Sequence, residues 1–166
     1  GKLLARIDSK SRLSGGVGSD GHLILVGTPK GEVLAFDQNG KPLWKSQLTS
    51  EVLSAPQTEQ GIVVVRSGDG RIYGLDAASG SRKWVYQRTL PALTVRPHVG
   101  VVLYRGAVFA GFPGGRLVAL ALNNGNVGWE ATVALPKGAT ELERVADISS
   151  LPVTDGTVRL AFESME

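Results

Sequence analysis

Three tryptophans, Trp44, Trp84 and Trp129, each close a near-copy of the same short phrase. The first copy runs from Gly31 through Val33, Ala35 and Asp37 to Gly40 and Trp44. The second runs from Gly70 through Ile72, Gly74 and Asp76 to Gly80 and Trp84, and the third from Gly115 through Leu117, Ala119 and Ala121 to Gly125 and Trp129. The tryptophans stand 40 and 45 residues apart. Recurrence at that interval marks a propeller, a solenoid or an array, whose units bury their apolar faces only against their neighbours.

Within each copy the side chains alternate. Val33, Ala35 and Asp37 fall on one side and Leu34 and Phe36 on the other; Ile72, Gly74 and Asp76 oppose Tyr73 and Leu75. Such period-two patterning reads as strand. An apolar run behind a glycine turn precedes each copy: HLILV after Asp20-Gly21, IVVV after Gln60-Gly61 and AVFA after Arg105-Gly106. TVRLA after Asp155-Gly156 repeats the pattern once more. A further strand is expected before each run, in SGGVG, LSAPQ, HVGVV and SLPVT, and a last one around each Trp. The unit is therefore four short antiparallel strands joined by tight turns, the composition of one propeller blade. The fold class is all-β. The best helical stretch, 139–148, is short enough to be a loop with one turn.

The last turn of each unit is held by Asp37 in the first copy and Asp76 in the second, whose carboxylates can cap backbone N–H groups ahead of a left-handed glycine. Ala121 replaces the Asp in the third copy, so Asn123 or Asn124 must hold that turn, which is expected to be the loosest. A Trp can fill the gap between wedge-shaped blades, its indole N–H on a backbone acceptor, or it can stack on a ligand. One ligand site needs one Trp, not one per blade, so the repetition favours packing.

The 166 residues carry a formal charge of +3 and no cysteine. The cations are dispersed, unlike the clustered basic stripe of a nucleic-acid binder. Without cysteine there is no disulfide, thiolate metal site or cysteine nucleophile. His22 and His98 lack metal-ligand spacing and read as surface or turn residues. No Ser-His-Asp set, phosphate-cradling loop or paired carboxylates in a cleft stands out, and neither a catalytic group, a metal site nor a cofactor is expected.

Gly1-Lys2-Leu3-Leu4-Ala5 aligns with Gly40-Lys41-Pro42-Leu43-Trp44, with Ala5 at the Trp position. The expected organisation is a partial propeller over 1–166. Residues 1–8 supply the last strand of one blade; 11–48, 51–89 and 93–135 are full blades; 145–163 begin another. Open propeller ends would favour self-association or completion by further blades.

The segment from Leu75-Asp76 through Gly80 to Trp84 resembles the repeat of quinoprotein-type, PQQ-like propellers. Within that group, Gly15-Gly16-Val17-Gly18, Val26-Gly27-Thr28, Gly31-Glu32-Val33 and 50–56 (SEVLSAP) resemble the BamB family of outer-membrane protein assembly factors. So do 91–96 (PALTVR) and 140–147 (TELERVAD), and the resemblance covers almost all of residues 1–160. It implies a non-catalytic scaffold with eight blades, of which this chain would hold about three and a half to four. The implied role is in the β-barrel assembly machinery, at the periplasmic face of the bacterial outer membrane. A lipid anchor outside this chain would be its membrane attachment. The implied partner is the POTRA region of BamA, contacted by two inter-blade loops. One loop's Leu-x-Leu-Arg pattern falls on Leu93, Val95 and Arg96; the other's Asp-x-Asp pattern falls on Asp147 and Ser149. Val95 and Ser149 depart from the pattern, and Ser149 removes a carboxylate.

These loop residues also have a physical reading. Leu93 and Val95 share one side of an extended segment, beside the guanidinium of Arg96, as an interface anchor would. In the alternative, Leu93 and Val95 face the blade core and Arg96 is solvated. Asp147 could pair with Arg96 or with a partner's cation. Two other functions compete: a PQQ-dependent dehydrogenase-like propeller, which needs a calcium cradle and an Asp base, and a generic peptide-binding propeller using exposed strand edges.

Overall fold

The computed structural model describes residues 6–88, 99–133, 153–154 and 160–161. Three four-stranded antiparallel sheets follow one another along the chain, each a meander in sequence order. The first contains β1 (Val17–Ser19), β2 (Leu23–Gly27), β3 (Glu32–Asp37) and β4 (Pro42–Gln47). The second contains β5 (Gln57–Glu59), β6 (Ile62–Arg66), β7 (Ile72–Asp76) and β8 (Arg82–Tyr86). The third contains β9 (Val102–Tyr104), β10 (Ala107–Phe112), β11 (Arg116–Ala121) and β12 (Val127–Thr132). A two-stranded hairpin, β13 (Val153–Thr154) with β14 (Leu160–Ala161), comes next. No helix occurs among the described residues, and these sheets are the blades of a partial β-propeller.

The second strand of each blade begins where the glycine turns place it. The first strands begin later than SGGVG, LSAPQ and HVGVV suggest. The residues ahead of them are occupied elsewhere: Val52 N–H donates to Thr28 O at 3.0 Å, and Ser14 Oγ to Val52 O at 2.6 Å. Pro56 has no N–H for a ladder. A Cβ on Gly18 would sit 1.8 Å from Pro56 O, so only glycine lets the first strand of one blade lie against the approach to the next.

The alternation seen in the sequence becomes two packed faces. Val63 and Val65 pack with Leu25 and Val33 of the first blade and with Val52 on the connection that follows it, while Ile62 and Val64 pack with Val108, Ala110 and Val118 of the third. β6 is buried along its whole length because both its faces are covered. Burying each such side chain stabilises the stack by roughly 1.5–3 kcal/mol. The inner strands β1, β5 and β9 approach one another in order, defining the hub side.

Opposite each tryptophan stands a small residue: Ala35 pairs with Trp44, Gly74 with Trp84 and Ala119 with Trp129. A register shift follows that pair in all three blades. Gly74 is required by space, since a Cβ there would lie 2.1 Å from the Trp84 ring.

The Asp turns form as expected. Asp37 Oδ1 accepts the N–H groups of Asn39 and Lys41 at 2.9 and 2.8 Å. Asp76 Oδ1 accepts those of Ala78 and Ser79 at 3.1 and 3.0 Å. In the third turn Asn124 stands in for the absent Asp, as expected. Asn124 Oδ1 accepts Asn126 N–H at 2.9 Å. Its backbone closure, Gly125 N–H to Ala121 O at 2.8 Å, equals that of Gly80 to Asp76. Backbone geometry closes this turn, and the missing Asp costs caps rather than shape. The helical candidate at 139–148 lies outside the described residues.

Candidate partner-binding face

The turns divide into two faces. On one, Ala77 N–H donates to Gly61 O and Leu122 N–H to Gly106 O, so first hairpins and last turns lie together. On the other, the turns between second and third strands meet the linkers that join blades. Leu48 N–H donates to Gly31 O, Gly68 N–H to Glu51 O and Val133 N–H to Gly115 O, each at 2.8 Å.

The sequence-derived partner residues belong to these linkers. Leu93, Val95 and Arg96 lie between β8 and β9, and Asp147 and Ser149 between β12 and β13. All five lie outside the described residues, as does His98. What the described residues supply is the ground on which those linkers are rooted.

That ground is polar and extensively bonded. Asp69 accepts hydrogen bonds from Thr49 Oγ1 at 2.6 Å and from Ser67 Oγ, and pairs with Arg71 Nη1 at 2.6 Å. Thr49 Oγ1 also lies 2.7 Å from the hydroxyl of buried Tyr73. Arg71 Nε donates to Gln87 Oε1 at 3.1 Å, tying the turn to the start of the linker between the second and third blades. Partial burial pushes the Asp69 carboxyl up, but the bonds from Ser67 and Thr49 and the charge of Arg71 hold it below the usual range.

At the edge of the same face, Arg88 pairs with Glu130 at 2.8 Å and Arg116 with the other oxygen of that carboxylate at 2.5 Å. The Arg88 bond is the main reason the Glu130 carboxyl lies below its ordinary value, and Glu130 in turn raises Arg88. This triad spans the second and third blades.

Arg66 is the group sequence reading missed. It ends β6, is 3% exposed, and reaches the third blade through Val99 O at 3.3 Å. The signal was present, as a charge closing the apolar run IVVV.

The tryptophans sit on the blade seams. Trp44 Nε1–H donates to Ala77 O at 2.8 Å and Trp84 Nε1–H to Leu122 O at 2.9 Å, each in the following blade. Gly40 meets Ile7 where Gly80 meets Trp44, so Ile7 fills the slot over the first blade's turn; Ala5 lies outside the described residues. Trp129 is 42% exposed and packs on Phe109, with ring centres 6.0 Å apart. The three rings thus rest on different neighbours, Ala77, Leu122 and Phe109. No group of three or more His, Asp or Glu among the described residues is placed to hold a metal ion. His22 is exposed in its hairpin, beside Asp20 Oδ1, which accepts the backbone N–H groups of His22 and Leu23.

A family model described as outer membrane protein assembly factor BamB matches residues 1–164. The chain is similar to the outer membrane protein assembly factor BamB of Nitrosomonas eutropha, with 61% identity over 155 residues, covering 93% of this chain and 38% of that protein. Among solved structures it is similar to BamB from Moraxella catarrhalis, with a TM-score of 0.88 and 29% identity, covering 98% of this chain and 50% of that one. The quinohemoprotein alcohol dehydrogenase of Comamonas testosteroni has a TM-score of 0.68 at 18% identity, covering 92% of this chain and 29% of that one. That last likeness is of fold alone. The chain thus spans half or less of the length of the relatives it matches.

Proposed function

The chain belongs to the family of outer membrane protein assembly factor BamB, and from that premise we propose that it is part of a non-catalytic scaffold that binds the POTRA region of BamA. In this reading it serves the assembly and insertion of outer-membrane proteins from the periplasmic face, as a piece of the β-barrel assembly machinery. The observation that carries it is the family match over residues 1–164. The fold is consistent with a scaffold. The buried apolar side chains pack between blades, and both linkers bearing the family's Leu-x-Leu-Arg and Asp-x-Asp positions spring from the same bonded face.

Leu93, Val95 and Arg96 from one linker and Asp147 and Ser149 from the next would make the contact. Apolar anchors beside a forked cation suit a protein surface that offers a carboxylate or backbone carbonyls. A POTRA-domain fragment titrated into the chain should bind saturably, as read by calorimetry. Absence of binding at high concentration, with the chain folded, would leave the family membership standing and remove this partner assignment.

A further inference from the structure

Arg66 stands at the end of a strand that is otherwise apolar, in the seam between the second and third blades. Its guanidinium is held on two sides. Nη1 donates to Val99 O at 3.3 Å, and the guanidinium carbon lies 4.8 Å from the centre of the Phe112 ring. Tyr86 packs edge-on against that ring at 5.8 Å. Nε and Nη2 are buried, and neither has a hydrogen-bond partner among the described residues.

An unpaired charge in a protein interior is strongly destabilising. Arginine has little chance to escape by losing its proton: burial pushes Arg66 down only to about 10, so it stays charged at neutral pH. Two acids beside the turn that follows β6 are already engaged. Asp69 is engaged by Thr49, Ser67 and Arg71, and the Glu51 carboxylate accepts from Ser50 Oγ. Stacking on Phe112 satisfies the face of the cation but leaves its buried N–H edge unpaired among the described residues.

The unpaired edge has a specific shape. Nε–H and Nη2–H lie side by side and point the same way, the edge that grips both oxygens of a carboxylate. A water molecule could accept one or both hydrogen bonds but would bring no opposing charge. A carboxylate meets both needs.

We propose that the seam between the second and third blades is a carboxylate-binding site, in which the Nε and Nη2 edge of Arg66 takes the two oxygens while Val99 and Phe112 fix the guanidinium plane. The carboxylate comes either from an acidic side chain of a docking protein or from a small free acid. The site stands independently of the partner assignment above, because it is built from side chains between β6 and β10.

The experiment follows the arginine side chain directly. The 166-residue chain, labelled with 15N-arginine, is titrated with sodium formate and, at equal ionic strength, with sodium chloride. The Arg66 Nε–H resonance is assigned by its loss in Arg66→Lys. Formate should shift this resonance saturably while Arg71 and Arg88 move little, and chloride should not reproduce the effect. The melting temperature of the chain should rise with formate, and Arg66→Gln should lose that rise. A short peptide rich in Asp and Glu that produces the same shift identifies a protein side chain as the source; a response to formate alone identifies a small free acid. An Arg66 resonance that responds alike to formate and chloride, or to neither, means that water alone occupies the edge and overturns the proposal. That readout decides the matter on the unaltered chain even where Arg66→Gln does not fold.

Discussion

The ring of Trp44 lies over Gly80 of the following blade, so close that a Cβ on that glycine would come within 2.4 Å of it. Trp84 covers Gly125 in the same way, at 2.5 Å. Both glycines have left-handed backbone, with φ of 71° and 72°. Each therefore answers two demands at once, the turn's own geometry and the neighbour's indole. Gly61 separates the two effects, having φ of 75° with nothing within 4 Å of a built Cβ. Gly61→Ala should cost about 1–2 kcal/mol, from backbone strain alone. Gly80→Ala should cost a further ~1–3 kcal/mol, because the indole must move. Urea unfolding of both variants checks this, and equal losses would mean that the Trp44 ring is not seated on Gly80.

The indole N–H contributes separately from the ring. Trp84 is 8% exposed and its Nε1–H donates to the carbonyl of Leu122, itself 2% exposed. Trp84→Phe keeps most of the apolar surface but takes the donor away from a buried oxygen, which should cost about 1–3 kcal/mol. In this chain Trp129 is 42% exposed, so Trp129→Phe should change stability by ~0.5 kcal/mol or less. Thermal melts of the two variants, compared at one pH, give the test. A Trp129 variant as damaging as the Trp84 variant would show that Trp129 is seated against a neighbour as well.

The blade was legible because its signals are local. Alternation across Val33 to Asp37, glycine at the turns and Asp37 and Asp76 as caps each act within a few residues of themselves. The packing role of Trp44 and Trp84 was legible only from repetition. Which atoms they meet was not, because Ala77 and Leu122 belong to the next unit, 33 and 38 residues away. The start of each first strand was misplaced for a related reason. Ser54 lies in the expected strand LSAPQ, yet its backbone carbonyl abuts Gly15 of the preceding blade, and Val52 just before it bonds to Thr28 and Ser14 there. The network around Asp69 escaped notice because Thr49, Arg71, Tyr73 and Gln87 have no fixed spacing. The candidate partner residues rest on resemblance, since linkers between blades do not repeat and carry no periodic signal.

Acid should weaken the fold, and the sign follows from four carboxyls. Asp20, Asp69, Asp76 and Glu130 all lie below their ordinary values. For Asp20 the leading cause is the backbone N–H of Leu23, for Asp76 the hydroxyl of Ser79 and for Glu130 the bond from Arg88. In Asp69, burial opposes the shift and the bonds from Ser67 and Thr49 outweigh it. Between its ordinary value and the lower folded one, each group binds a proton in the unfolded chain and not in the native one. Their stabilisation is therefore fully present above the usual carboxylate range, about 4, and is lost as pH falls through the folded values. The urea midpoint should hold between pH 7 and about 5 and drop below about 4. Glu130→Gln should lower stability at pH 7 by about 0–1 kcal/mol, as befits a surface pair, and make the acid-induced drop shallower. A drop of unchanged depth in that variant would remove the Arg88–Glu130–Arg116 triad from the acid response.

The partner assignment makes its own demand on residues 93–96 and 147–149. In the proposed contact Arg96 would offer a guanidinium fork beside Leu93 and Val95, and an anchor of that kind carries a disproportionate share of binding energy when it is central to an interface. Arg96→Ala should weaken binding to a POTRA-domain fragment at least several-fold, about 1 kcal/mol or more, with the circular dichroism of the chain unchanged. Ser149 stands where the family pattern has a carboxylate, so Ser149→Asp should tighten the same complex if that position meets a cation. The two variants move the affinity in opposite directions, which a general loss of folding cannot imitate. Calorimetry of both against one fragment provides the measurement. Affinity unaltered in Arg96→Ala would remove that side chain from the proposed contact.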